Sequence, residues 1–363
     1  MQKRFTIKVY SLTGTFIKTY NPLDIMGDVS FTRRINSGDG ECRVRLALPI
    51  DSFDEGVSIA QMNVVKIYQR DDTFNQVATL IYSGFIIDYD CAFENGTEYV
   101  ELQLLALGSM LSLDFYMNGA SYSVSHAGVD PGNIAKAIVD HFNTIYPGAW
   151  IGYGGGNVSL VGSVVSKNYV DTKWLDALNQ AAQLAGVSGW YWRIAEDGQL
   201  WFRQKPATPT HLLTLGKHIQ SGKVSKTGQD IVNQYQLRPG APATNGDFTD
   251  ATSITAYGRR GKVESDGTIL TNRSRDLKGN GIIADLKDPK SNAQFVVNAS
   301  YDIESIKPGD TITVNGLRGS SPFADNMMVT SVAYTPDKAT VECERTAATL
   351  ADQFKKTIQL LSA

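Results

Sequence analysis

The four imidazoles of the chain, His126, His141, His211 and His218, are the first residues to test for proton transfer, because only histidine titrates near neutral pH without perturbation. His141 stands in a helix-periodic segment one residue from its apolar stripe, a flank position. His126 falls in a predicted loop, and His211 and His218 lie beside strand-like segments. Acyl transfer through serine would need a strained G-x-S-x-G elbow, and the sequence has none. Cys42 and Cys343 fall on alternating strand faces that point to a core, which makes them buried thiols rather than nucleophiles. With Cys91 they are widely separated and odd in number. That fits neither a disulfide framework nor a zinc site of paired short spacing, and it agrees with folding in a reducing cytoplasm.

Metal chemistry would require a cluster such as H-E-x-x-H on one helical face, which is absent. Asp71-Asp72 and Asp88-Tyr89-Asp90 are acidic pairs, but the first lies in a turn and lacks calcium-loop spacing, so solvated turns are expected. Glycoside hydrolysis needs only two carboxylates about 5–10 Å apart in space and leaves no sequence signature. Glu94, Glu98, Glu196 and Asp197 are candidates, yet nothing selects them from 37 acidic residues. The run Gly154-Gly155-Gly156 lacks the lysine and the hydroxyl residue of a phosphate loop. Trp190, Tyr191, Trp192, Trp201 and Phe202 could stack on sugar rings, but on a hairpin at least half of them should fill the core. The sequence therefore assigns no catalytic, cofactor-binding or metal-ligating residue, and a non-enzymatic role is expected. A cell-wall-degrading glycosidase or peptidase, and a carbohydrate-binding host-recognition module, are the rival readings.

The elements that carry these residues are mostly short strands. FTIKVYSLTGTFIKTY alternates around Thr13-Gly14 as a β-hairpin would. ECRVRLALPI puts Cys42, Val44, Leu46 and Leu48 on one face and Arg43 and Arg45 on the other. NVVKIYQR, TLIYSGFIIDYDCAF and EYVELQLLALGSML bring the count to about six strands, a density suited to a small barrel or sandwich. At Asp130-Pro131-Gly132 a helix start is predicted, with Ile134, Ile138, Phe142 and Ile145 at helical spacing and a stop near Tyr146-Pro147-Gly148. A second helix carries Trp174, Leu175, Leu178, Ala181, Ala182 and Ala185 and ends at Gly186. GWYWRIAEDGQLWFRQ reads as a hairpin turning at Asp197-Gly198.

Beyond Pro206 and Pro209, LTLGKHIQSGKVSKTGQDIVNQYQLRPG is strand-like, and APATNGDFTDAT reads as an exposed loop. RSRDLKGNGIIADLKDPKS is a candidate helix despite Gly279 and Gly281. Strands resume with AQFVVNASYDIES, DTITVNG, MMVTSVAYTP and KATVECERT, and a short amphipathic helix is expected at 346–363. A length of 363 residues exceeds one ordinary core, so two to four domains are expected. The net charge of -3 excludes a general nucleic-acid footprint, and no stretch approaches the roughly 20 apolar residues of a membrane span.

In order, these blocks resemble the tail-hub proteins of phages, the family of baseplate hubs and tail-tip hubs that extends to related contractile injection systems. Three passages carry the resemblance: INSGDGECRVRLALP through NVVKIYQR, YSGFIIDYD and VELQLLALGSML; then KWLDALNQAAQLAGVSGWYWRIAEDGQLWFRQKP; then IVNQYQLRPG through ATSITAYGRRGKVESDGTI, with its Tyr257-Gly258 turn, to YDIESIKPGDTITVNG, with its Pro308-Gly309-Asp310 turn. The resemblance implies a mainly β fold with α+β insertions. Two related small β-barrels would occupy 1–115 and the split segments 216–250 and 300–345. An α+β domain would fill 121–208, an inserted mixed segment 251–299, and a C-terminal helix 346–363. It further implies a structural virion protein without cofactor, made in the bacterial cytoplasm and built into the phage tail. As a homotrimeric ring it would join the tail tube or a distal tail ring to a tip, spike or fibre protein, with tape-measure protein and DNA passing its lumen. No appended lysin domain is expected.

Overall fold

The computed structural model describes residues 3–38, 40–47, 59–71, 75–94, 96–117, 121–146, 148–186, 189–315 and 326–344. The helix expected at 346–363, Leu48 and Asp72 lie outside them. In the first block, β1 (Lys3–Tyr10) and β2 (Phe16–Tyr20) form the predicted hairpin, with Gly14 at φ 92°. Next come β3 (Ile25–Arg34) and β4 (Glu41–Leu46), and β4 buries Cys42, Val44 and Leu46 in strict alternation. Last are β5 (Val64–Asp71), β6 (Asn75–Glu94) and β7 (Thr97–Ala106).

The middle region contains β8 (Ser123–Val129), α1 (Pro131–Ile145), β9 (Val165–Val170), α2 (Trp174–Gln183), β10 (Trp190–Ile194) and β11 (Leu200–Gln204). The helix α1 begins where sequence predicts, because the Asp130 carboxylate accepts from Gly132 N and Pro131 needs no donor in the first turn. The same carboxylate also receives Val161 N and Gly162 N, so the cap pins the following loop. Ile134, Ile138, Phe142, Trp174, Leu178, Trp192, Leu200 and Phe202 share one buried cluster.

The last region runs β12 (His211–Thr214), β13 (Ile219–Thr227), β14 (Gln234–Pro239), β15 (Gly246–Thr249), α3 (Ala251–Tyr257), β16 (Gly261–Asp266), α4 (Asn272–Leu286), β17 (Lys290–Asn298), β18 (Thr311–Asn315), β19 (Met327–Thr335) and β20 (Lys338–Glu344). α4 is the candidate helix with two glycines. Gly279 is required there, because a Cβ would overlap the Phe248 ring that packs on it.

Thirteen strands join in one sheet. The first block has the order β3-β4-β7-β6-β5-β1-β2, and the second β13-β17-β20-β19-β18-β12. The two orders are the same: β3, β4, β7, β6, β5 and β1 correspond in turn to β13, β17, β20, β19, β18 and β12. The loose recurrence of the sequence is thus a repeat of strand order, with one difference in direction: β1 pairs antiparallel with β5, whereas β12 pairs parallel with β18. Neither block is a closed barrel: each remains open among the described residues, and the two are welded edge to edge by β3 and β19.

Two segments change place relative to the expected domain limits. β14 and β15, expected in the second barrel, belong instead to a separate three-stranded sheet, β15-β14-β16. β17, expected in the inserted segment, lies between β13 and β20 in the large sheet. Part of APATNGDFTDAT is strand rather than loop, because β15 pairs antiparallel with β14, and Asp250 then caps α3 by accepting from Ser253 N. Alternation marks a strand but not the sheet that receives it.

Candidate functional site

Three of the four imidazoles are hydrogen-bonded within the fold, and the buried Nδ1 of the fourth, His141, has no partner among the described residues. Both nitrogens of His211 are occupied, Nδ1 with Tyr301 Oη and Nε2 with Asp310 Oδ2, each at 2.9 Å. This ties β12 to the turn before β18. His126 contacts Tyr116 Oη at 2.9 Å, and burial with the neighbouring His141 lowers its pKa. His141 lies beside the Tyr116 ring. His218 Nδ1 accepts from Thr214 N. Cys42 and Cys343 are buried, their thiols pushed far up by desolvation, which removes nucleophilic character. Cys91 is exposed on β6. Among the described residues no three His, Cys, Asp or Glu side chains gather as a metal site.

The glycine run is a turn clamped by Arg203, which donates to Gly156 O at 2.7 Å. Of the aromatics, Tyr191, Trp192 and Phe202 are buried, and the Trp201 ring lies under the Arg193 and Arg203 guanidiniums at 4.7 and 3.9 Å. The aromatics share no exposed face of the kind sugar stacking needs. Glu94 and Glu98 sit at the exposed end of the β6–β7 hairpin, Glu94 with Arg45 at 3.6 Å. Asp197 accepts from Gln199 N within its turn.

Glu196 is different, and its surroundings define the most heavily built polar site. It forms an ion pair with Arg33 of β3 and another, at 3.0 Å, with Lys307 before β18. Burial alone would raise its carboxyl, but Arg33, Lys307 and Arg193 hold it down to about 2. Burial and the Arg33 charge in turn bring the Lys307 ammonium down to about 8. Three regions of the chain therefore meet at one carboxylate.

The edge next to it is the β3–β19 junction, with Ser331, Val332, Ala333 and Tyr334 opposite Arg34, Arg33, Thr32 and Phe31. The Phe31 and Tyr334 rings stack with centroids 4.6 Å apart and planes 17° from parallel, a contact worth about 0.5–1.5 kcal/mol beyond its area. Tyr334 Oη donates to Glu304 Oε1 at 2.7 Å, and Gln69 Nε2 does so at 2.9 Å. Lys3 completes the set as an ion pair. Against the raising effect of burial, these donors hold the Glu304 carboxyl at about 2. Asp302 is raised by burial and by its hydrogen bond to Glu304. Two carboxyls with divergent pKa values are a pattern of acid–base catalysis. Here, though, Oε1 of Glu304 is already engaged by Tyr334, Gln69 and Lys3, which ties it to the sheet rather than leaving it open to a substrate.

Sequence reasoning named Glu196 only as one of four arbitrary candidates and missed Phe31, Arg33, Glu304 and Tyr334. Alternation places Phe31 and Tyr334 on inner faces; nothing in the sequence says that they meet.

No protein-family model and no curated protein matches the chain. In structure it resembles the 43 kDa tail protein of prophage MuSo2 from Shewanella oneidensis, at 11% identity and TM-score 0.65, over 94% of this chain and 98% of that one. A tail protein from Neisseria meningitidis MC58 matches with TM-score 0.62 and 9% identity, over 94% and 97% of the two chains. Prophage tail protein gp18 from Listeria monocytogenes EGD-e matches with TM-score 0.60 and 9% identity, over 98% and 99%. A Francisella PdpA–VgrG complex is also similar, with TM-score 0.55 and 8% identity over 95% of this chain but 52% of that one. The chain thus shares the fold of these phage tail proteins, mainly β with α+β insertions. No helix among the described residues is long and apolar enough to cross a membrane.

Proposed function

We propose that this protein is a hub subunit of a phage tail, three copies of which form a ring at its distal end. The observation that carries the reading is the duplicated strand order, two blocks joined edge to edge in one chain. Three such chains present six similar blocks, which suits a joint between hexameric tube rings and a threefold tip. The blocks comprise roughly 3–112 and 211–227 with 290–344, while 121–208 and 234–286 decorate them. The ring joins the tail tube or distal ring to a tip, spike or fibre protein, and frames the passage of tape-measure protein and DNA during genome ejection. The protein acts through shape and interface rather than bond chemistry: the Glu196 carboxylate is bound by Arg33 and Lys307, and both nitrogens of His211 are engaged. It is accordingly placed in the virion tail.

The test is mass in solution together with localisation. Light scattering of the purified chain, and labelling of tail particles with an antibody, should give a species of three times 39.6 kDa and a signal at the distal tail end. A strict monomer that never joins particles would overturn the reading.

A further inference from the structure

One face of the β10–β11 hairpin carries Tyr191 and Arg193 on β10 opposite Arg203 and Trp201 on β11. Tyr191 packs with Ile35 and Met328 and against Gly309, and Asn36 N donates to Trp192 O at 2.9 Å, so this face lies on the β3–β19 junction. Arg193 comes from the hairpin, Arg33 from β3 and Lys307 from the turn before β18, and all three act on the Glu196 carboxylate.

Three cations against one carboxylate leave a surplus of two positive charges. Arg33 and Lys307 share Glu196, whereas Arg193, only 7% exposed, makes no hydrogen bond or ion pair through its side chain among the described residues. The buried Nε atoms of Arg193 and of Arg33 both lack an acceptor. The next carboxylate, Asp310, is engaged by His211 Nε2 and by the backbone N of Lys307. Arg203, over the same Trp201 ring as Arg193, adds to the positive charge while donating to Gly156 O. The surplus is felt inside the cluster: burial and then the Arg33 charge bring Lys307 down to about 8, and burial and the Arg193 charge lower Arg33 against the pull of Glu196. A buried guanidinium cannot shed its proton, so its charge has to be met from outside the chain.

We infer that this cluster is a binding site for a free divalent oxyanion of the sulfate or hydrogen phosphate class, held between Arg193 of the hairpin, Arg33 of β3 and Lys307. Guanidiniums donate in pairs to adjacent oxygens and an ammonium supplies further donors, so a ligand with several acceptor oxygens answers the unmet donors where chloride does not. Two negative charges cancel the surplus, and a single carboxylate leaves half of it. The side chains of Arg33 and Lys307 are 12% and 23% exposed, an opening suited to a small ion rather than to a polymer backbone. The bound ion ties the middle region to both blocks of the large sheet. The inference goes beyond the hub reading and does not depend on it.

Equilibrium dialysis of the purified full chain against labelled sulfate, in chloride of matched ionic strength, should give saturable binding of one ion per chain. Arg193→Gln and Lys307→Gln should each weaken it roughly tenfold or more, the worth of one charge-assisted hydrogen bond. Arg43→Gln, which removes an exposed cation of β4, should leave it unchanged. Thermal unfolding reads the same site with the opposite sign. In chloride alone Arg193→Gln should unfold at the parent's temperature or above it, because repulsion is relieved, whereas added sulfate should raise the parent more than the variant. General salting-out by sulfate acts on both alike and cancels in that comparison. Lys307→Gln keeps the comparison available if Arg193→Gln folds poorly. No saturable binding by the parent in millimolar sulfate, or equal binding by Arg193→Gln, overturns the inference. Displacement of the label by a single-stranded oligonucleotide overturns its free-ion form and assigns the site to chain phosphate.

Discussion

The large sheet and the small three-stranded sheet are stabilised in different ways. The first has a continuous apolar core running across both blocks, including Ile7, Val44, Ile67, Leu102, Phe295, Ile312 and Val341. The second has a small cluster of buried Tyr235, Leu237, Ile269 and Ile283, with Phe248 against Gly279. What the small sheet lacks in area it replaces with buried polar groups. Asn233 donates to Gly258 O and Ser253 Oγ and accepts from Arg260 N. Lys278 bridges Glu264 and Asp266 at 2.7 and 2.8 Å, and Lys167, from β9, reaches Asp266 at 3.3 Å. An ionic clasp is sensitive to pH, to salt and to loss of either partner; the large sheet carries such clasps too, at Glu196 and Glu304, but backs them with a broad apolar core that the small sheet lacks. A large sheet and an appended small one can therefore differ in stability within one chain.

Four outcomes would break or sharpen this contrast. Phe295→Ala should cost the most, about 3–5 kcal/mol, because it opens a cavity in a fully buried site; urea unfolding of the whole protein measures it. Lys278→Ala leaves two carboxylates facing each other, and because Glu264 retains access to solvent the cost should be about 2 kcal/mol. Its signature is faster hydrogen exchange in β14, β16 and α4 with β17 and β20 unchanged; equal loss everywhere would dissolve the distinction between the two regions.

Acid should mimic that variant. Burial would raise the Asp266 and Glu264 carboxyls, yet their lysines hold both below the usual range. Groups with depressed folded pKa values contribute stability that is complete above about pH 4.5 and disappears as pH falls through the folded values. Exchange in the small sheet, corrected for intrinsic rates, should accelerate between about pH 4 and pH 2. Arg43→Ala should do least: the side chain is 63% exposed and 3.7 Å from Glu101, so the midpoint should stay within about 0.5 kcal/mol of the parent.

Local features were legible in the sequence because local chemistry produces them. Asp130-Pro131 starts α1, Gly14 and Gly198 turn their hairpins, and β4 alternates as written. The order of these pieces also carried the resemblance to tail hubs. Pairing was not legible. The two blocks share a strand order although their corresponding strands lie far apart in the chain, and only tertiary structure shows that β17, not β14, sits in the large sheet. Nor could the sequence single out Glu196 and Glu304 from the other acidic residues. Their character comes from cations brought in by segments as distant as Lys3, Arg33 and Lys307. The chain by itself determined its elements, through periodicity, caps and turns; which edges meet, and which charges are buried together, were decided only by the long-range packing that joins the strands.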